Sequence, residues 1–133
     1  MNESNNGNPT NLWIQRARSD IRLSEVAINT QGVMYEDSCF HAQQCAEKSL
    51  KGLLSHKRID FPRTHSIELL LDLLKKNGIT VPIPIDEAYL LSQYAVETRY
   101  PGITESVNKS EAEIAIALSK QVLSWVEDQI RLG

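Results

Sequence analysis

The sequence predicts an all-α protein, an antiparallel up-and-down bundle of about five helices. Apolar residues recur at three- and four-residue steps through most of the 133 residues. The breaks between these stretches fall at Gln31-Gly32, Phe61-Pro62, Asn77-Gly78 and Pro101-Gly102, where glycine or proline ends a helix. Ile79 to Ile85, with Pro82 and Pro84 in alternation, has no partner strand and reads as an extended linker. Five amphipathic segments with short connections bury their stripes most simply against one another. Hydrophobic residues make up 41% of the chain, enough for one modest core.

Residues 1–9, rich in Asn with Ser, Gly and Pro, are expected to form a disordered tail, and residues 10–133 the folded domain. Thr10 or Asn11 can cap the first helix. Leu12, Trp13, Ala17, Ile21, Ser24, Ala27 and Ile28 mark its apolar face to about Thr30, with Arg16, Arg18, Asp20, Arg22 and Glu25 on the other side. The second helix begins near Tyr35 or Glu36 and runs to about His56. Its acidic first turn, Glu36 and Asp37, complements the helix dipole. Thr64 is the expected cap of the third helix, whose stripe is Ile67, Leu70, Leu71 and Leu74, closed by Asn77-Gly78. Asp86 is expected to cap a fourth helix with Ala88, Leu91, Tyr94 and Ala95 inward, ending near Arg99 because Pro101 disfavours helix at Tyr100. Thr104 or Ser106 would cap the fifth, which carries Val107, Ala112, Ala115, Leu118, Val122, Trp125, Val126 and Ile130.

The second helix has two unlike sides. Ala42, Ala46, Ser49 and Leu53 form a row of mostly small residues that admits a close neighbour, as do Ala112, Ala115 and Ser119 on the fifth helix, within the bundle or across a dimer. A second row, Asp37, His41, Gln44, Lys48, Lys51 and Ser55, is polar throughout. It reads either as a solvated face or as a surface for an anionic or hydrogen-bonding partner. Glu47 and Lys51 are spaced for a helix-surface ion pair.

Several classes are excluded. A net charge of −3 advertises no general nucleic-acid field, so any such role needs a local patch. No apolar run is long enough to cross a membrane, and the Asn-rich start lacks the apolar core of a signal peptide, so a cytoplasmic location is expected. Cys39 and Cys45 point in different directions on one helix and cannot bridge. His41, His56 and His65 lack zinc-site spacing, and no metal or cofactor is expected.

Trp13, Ala17, Asp20 and Ala27 are followed by Phe40-x-x-Gln43-Gln44-x-Ala46-Glu47-Lys48-x-Leu50-Lys51, then Thr64-His65, Leu69-Leu70 and Arg99-Tyr100-Pro101. Over roughly residues 11–130 this series resembles the HEPN family, the domain named for higher eukaryotes and prokaryotes nucleotide binding. The resemblance implies a helical bundle that is usually a homodimer. It also implies prokaryotic members that work beside a minimal nucleotidyltransferase in toxin–antitoxin-like pairs. Many members cut RNA with an Arg followed after four to six residues by a His. Arg99 stands where that Arg is expected, but Tyr100 to Ser106 contains no His, so the group that would move protons near neutral pH is missing. Arg58 and His65 fit the spacing by accident, in a loop of the wrong half. The resemblance thus favours binding of nucleotide or RNA, or docking of a nucleotidyltransferase, over catalysis. A metal-independent ribonuclease and a pure protein-interaction scaffold are the alternatives. The candidate binding residues are His41, Gln44 and Lys48, with Arg99 and Tyr100 to clamp phosphate and stack on a base, and Tyr94 one turn before them. Trp13 and Trp125 are expected as core or dimer-interface anchors, and His65 as a local hydrogen-bonding residue.

Overall fold

The computed structural model describes residues 9–95 and 106–133. Among them the elements are α1 (Pro9–Ile28), α2 (Tyr35–His56), α3 (Ile67–Lys76), the one-turn α4 (Ile83–Asp86), a 3₁₀ segment (Glu87–Tyr94) and α5 (Lys109–Leu132), with no strand. The expected all-α bundle is therefore the observed architecture. The tail expected over residues 1–9 lies outside the described residues, apart from Pro9. Pro9 is itself the first residue of α1, a position that suits its fixed φ.

α2 is the centre of the molecule. It packs against α1, α3, the 3₁₀ segment and α5, and none of its residues is fully exposed. Ser24 meets Ser38, and Asp20 meets Lys48, so α1 runs antiparallel to α2. Arg18 pairs with Glu127 and Glu25 with Lys120, so α1 is also antiparallel to α5. The small-residue rows allow this closeness. Ala17, Ala42, Ala46 and Ala112 are fully buried, and Ser119 donates to the Ala42 carbonyl at 2.6 Å. A Cβ on Gly52 would lie 2.8 Å from Ile14 Cδ1 and 3.3 Å from Trp13 Cβ. Leu50, Leu53, Leu54, Ile67, Leu70 and Leu74 are completely buried. Each contributes about 1.5–3 kcal/mol through burial.

Several local expectations are corrected. Leu12 is exposed, and Ile14 takes its place on the inner face of α1. Asp20, expected on the outer side, is 6% exposed. Ser66, not Thr64, caps α3 by accepting from Leu69 N at 3.1 Å. The Thr64 hydroxyl instead accepts from Ser66 N and holds the turn. Asp86 caps nothing and pairs with Lys75 at 2.6 Å. The fourth helix is one α-turn starting at Ile83, followed by 3₁₀ structure, because Ile85, Ala88, Leu91 and Tyr94 bury at steps of three. Asn108 caps α5, accepting from Glu111 N at 2.8 Å, so Val107 is buried ahead of the helix rather than within it. The turns at Gly32 (φ +88°) and Gly78 (φ +84°) are left-handed, as a glycine stop requires.

Candidate functional site

The polar groups of α2 are organised by two carboxylates. Asp20 projects from the buried face of α1, next to Ala17 and Ile21, and the close α1–α2 approach carries it onto α2. Its Oδ1 lies 3.0 Å from His41 Nδ1, and its Oδ2 accepts from Lys48 Nζ at 2.6 Å. The side chains of His41 and Lys48 are 28% and 21% exposed. Lys48 can only donate, so it holds the Asp20 carboxylate as an acceptor. The proton between Asp20 and His41 therefore sits on Nδ1, an assignment made from the partners. In the neutral ring this leaves Nε2 as a lone-pair acceptor. The Phe40 ring stands edge-on to the imidazole, with centroids 5.2 Å apart.

The second carboxylate, Glu47, is more deeply set. It accepts from Lys51 Nζ at 2.7 Å and from Gln43 Nε2 at 3.0 Å, and His65 Nδ1 lies 3.1 Å away. Burial alone would raise the Glu47 carboxyl. The hydrogen bonds from Lys51 and Gln43, with the charge of Lys51 and the His65 contact, outweigh it and hold the group below the ordinary carboxylate range. Lys51 also stands 5.3 Å from the centroid of the Trp13 ring, which packs against Phe61. Gln43 is fully buried and accepts from Gln44 Nε2 at 2.7 Å.

These contacts revise the expected row. His41, Gln44 and Lys48 do lie together on one side of α2 and are half-buried. Their charge is not free, because Lys48 already shares Asp20 and Lys51 is sealed against Glu47. The Glu47–Lys51 pair is formed, but it is internal rather than on the helix surface, with side chains 2% and 9% exposed. Tyr94 does not share the row: it is buried, and its hydroxyl donates to Glu111 at the start of α5. Arg99 and Tyr100 lie outside the described residues. Asp20, Gln43 and Glu47 are the organising residues that sequence reasoning did not assign to the site. Asp20 falls three residues after the buried Ala17 and four before the buried Ser24, the one signal that it faces inward.

Other features lie apart from these clusters. A groove of about 560 Å³ between the ends of α1 and α5 is lined by Thr10, Ile14, Arg18, Glu127 and Arg131, away from His41. Cys39 and Cys45 are buried free thiols, and burial pushes Cys45 up to about 11, which keeps it protonated and inert. Among the described residues no group of three or more His, Cys, Asp or Glu side chains is arranged to hold a metal ion. Nor is any helix among them long and apolar enough to cross a membrane.

Comparison with known proteins identifies the family of the chain. The chain is 28% identical over 137 aligned positions to the Methanocaldococcus jannaschii protein named "Putative toxin MJ1304", covering 90% of this chain and 87% of that one. The crystal structure of ST0689, described as an archaeal HEPN homologue, superposes with a TM-score of 0.72 at 32% identity, covering 91% of this chain and 97% of the other. The crystal structure of TT1696 from Thermus thermophilus gives 0.74 at 33% identity, covering 91% and 98%. The HEPN domain model matches residues 10–129, and the chain belongs to the HEPN domain family.

Proposed function

We propose that this chain is a homodimeric HEPN module that binds nucleotide or RNA, or docks a minimal nucleotidyltransferase, or does both, within a toxin–antitoxin-like pair. The observation that carries the reading is the half-exposed row His41, Gln44 and Lys48, oriented from behind by Asp20 and the Gln43–Glu47 pair. Such a row offers an imidazole nitrogen, an amide and an ammonium within two helical turns, the set needed to meet a sugar, a base edge and a phosphate. The name of the M. jannaschii relative supports the toxin-like setting. Arg99 and Tyr100, which lie outside the described residues, are the further residues proposed to meet phosphate and base. Calorimetry with ATP, GTP and RNA oligonucleotides tests the reading. Saturable heat that falls in Lys48→Ala and Arg99→Ala is expected, and no heat with any ligand would leave a protein-interaction scaffold. Light scattering on the eluted protein should give twice the chain mass of 15.0 kDa at micromolar concentration.

One observation favours a second reading, RNA cleavage. The Asp20–His41 pair is a carboxylate-held imidazole with an open Nε2, and it would supply the acid–base group missing after Arg99. Cleavage of mixed RNA that disappears in both His41→Ala and Arg99→Ala would move the protein into this class.

A further inference from the structure

The protonation pattern of the Asp20 cluster dictates what His41 can recognise. One carboxylate sits between two nitrogen bases: Oδ2 accepts from Lys48 at 2.6 Å and Oδ1 faces His41 Nδ1 at 3.0 Å. The ammonium has only donors, so the carboxylate has only acceptor oxygens to offer the ring. Nδ1 then carries a ring proton, and in the neutral ring Nε2 is left as an acceptor with no hydrogen bond to another group among the described residues. Asp20 is 6% exposed and anchored on α1, so this assignment is built into the helix packing rather than chosen by solvent. A lone-pair nitrogen repels a phosphate oxygen and pairs with a hydroxyl. On the same side of α2, two turns along, the partly exposed Lys48 ammonium, although paired with Asp20, keeps N–H groups that can donate to a phosphate. A ligand that meets both groups carries a hydroxyl and a phosphate a few ångströms apart, as a ribonucleotide does.

We infer that His41 Nε2, fixed as an acceptor by Asp20, reads the ribose 2′-hydroxyl, and that the α2 row thereby distinguishes ribonucleotides from deoxyribonucleotides. This rests on the nucleotide- or RNA-binding reading above and adds to it a residue that sets specificity. The 2′-hydroxyl is the group by which a protein tells RNA from DNA at a given site. His41 acts through one hydrogen bond at a half-exposed position, so a roughly fivefold to tenfold preference is expected. The hydroxyl can come from a free nucleotide or from a strand, and the experiment separates the two.

The test is equilibrium binding of the full chain to two matched pairs: ATP against 2′-deoxy-ATP, and an RNA oligonucleotide against DNA of the same sequence with uracil in both. A ribo preference confined to the first pair assigns the site to free nucleotides, and one confined to the second assigns it to RNA. His41→Asn keeps a donor for Asp20 but loses the outer acceptor, so the ratio of ribo to deoxy affinity should fall to about one, whatever happens to overall affinity. His41→Gln places an amide oxygen near the Nε2 position and should restore part of it. A thermal melt of each variant verifies that the fold is retained. Equal affinity within both pairs, or a preference that survives His41→Asn, overturns this inference and leaves nucleotide binding standing. Absence of binding to all four ligands overturns both.

Discussion

Asp20 and Glu47 hold the same kinds of partner, one lysine and one histidine each, yet the two clusters differ in depth. Glu47 and Lys51 are sealed, with side chains 2% and 9% exposed, and only His65 reaches solvent, at 70%. Around Asp20 both partners keep a foot in water. The difference comes from position on α2. Lys51 sits where the helix is pressed against Trp13, and its ammonium has the ring on one side and Glu47 on the other. His41 and Lys48 sit on the row where Asp20 of α1 reaches across to α2. The same chemistry therefore locks the fold in one place and presents a surface in the other.

The sharpest way to break the comparison is to remove Glu47. Glu47→Leu strands the Lys51 charge in a dry site and should cost about 3–5 kcal/mol in denaturant unfolding. The Glu47→Leu/Lys51→Met pair should recover most of that loss, because an apolar pair of similar size no longer carries a buried charge. A pH series reads the same interaction. The folded Glu47 carboxyl lies below its ordinary value of 4.5. Its contribution is thus fully present above about pH 4.5 and is lost as the pH falls through the folded value. Between neutral pH and the acid range the double variant should lose less stability than the wild type. Equal acid sensitivity would show that Glu47 is not the group being titrated.

Next in size is the contact that brings the Asp20 cluster together. Gly52 already sits where an added Cβ would touch Ile14 and Trp13. The branched side chain of Gly52→Val has to push α1 away and should cost about 3 kcal/mol. Because α1 carries Asp20, the same variant should loosen its hold on His41 and change ligand binding there, lowering the preference for ribose over deoxyribose. A stable variant with unchanged binding would mean that the two helices can separate at Gly52 without moving Asp20.

Much of this design was legible in the sequence. The stripe Ile67, Leu70, Leu71 and Leu74, the stops at Gly32 and Gly78, and the central place of α2 all follow from short-range spacing, and spacing is what periodicity reports. The 3₁₀ segment is not what the sequence predicts, which is a linker to Ile85 and a regular helix after Asp86, although Ile85, Ala88, Leu91 and Tyr94 do recur at steps of three instead of 3.6. The site was only partly legible. The row His41, Gln44 and Lys48 is local to one helix. Asp20–His41 and Glu47–His65 join residues 21 and 18 positions apart, and no local rule connects them. Spacing points to the Glu47–Lys51 pair but not to its burial, which depends on what packs over it. Thr64 and Ser66 are equally good caps by residue type, and the turn decides between them.

The smallest stability effect belongs to Asp20 and carries the most functional information. Asp20→Asn keeps the size and one acceptor while removing the charge. Lys48 can turn to water, so the loss should be about 1–2 kcal/mol, well below that at Glu47. Two changes in binding should accompany it. The Lys48 charge is no longer offset, so phosphate-bearing ligands should bind roughly threefold to fivefold tighter at low salt, a gain that shrinks as salt is added. An asparagine can also donate to His41 Nδ1, which frees the ring to carry its proton on Nε2, so the preference for ribose over deoxyribose should fall. Unfolding and binding titrations on this one variant compare the clusters directly. A stability loss as large as that of Glu47→Leu, with no change in ligand affinity, would make Asp20 a second structural lock and remove the physical distinction between the two carboxylates.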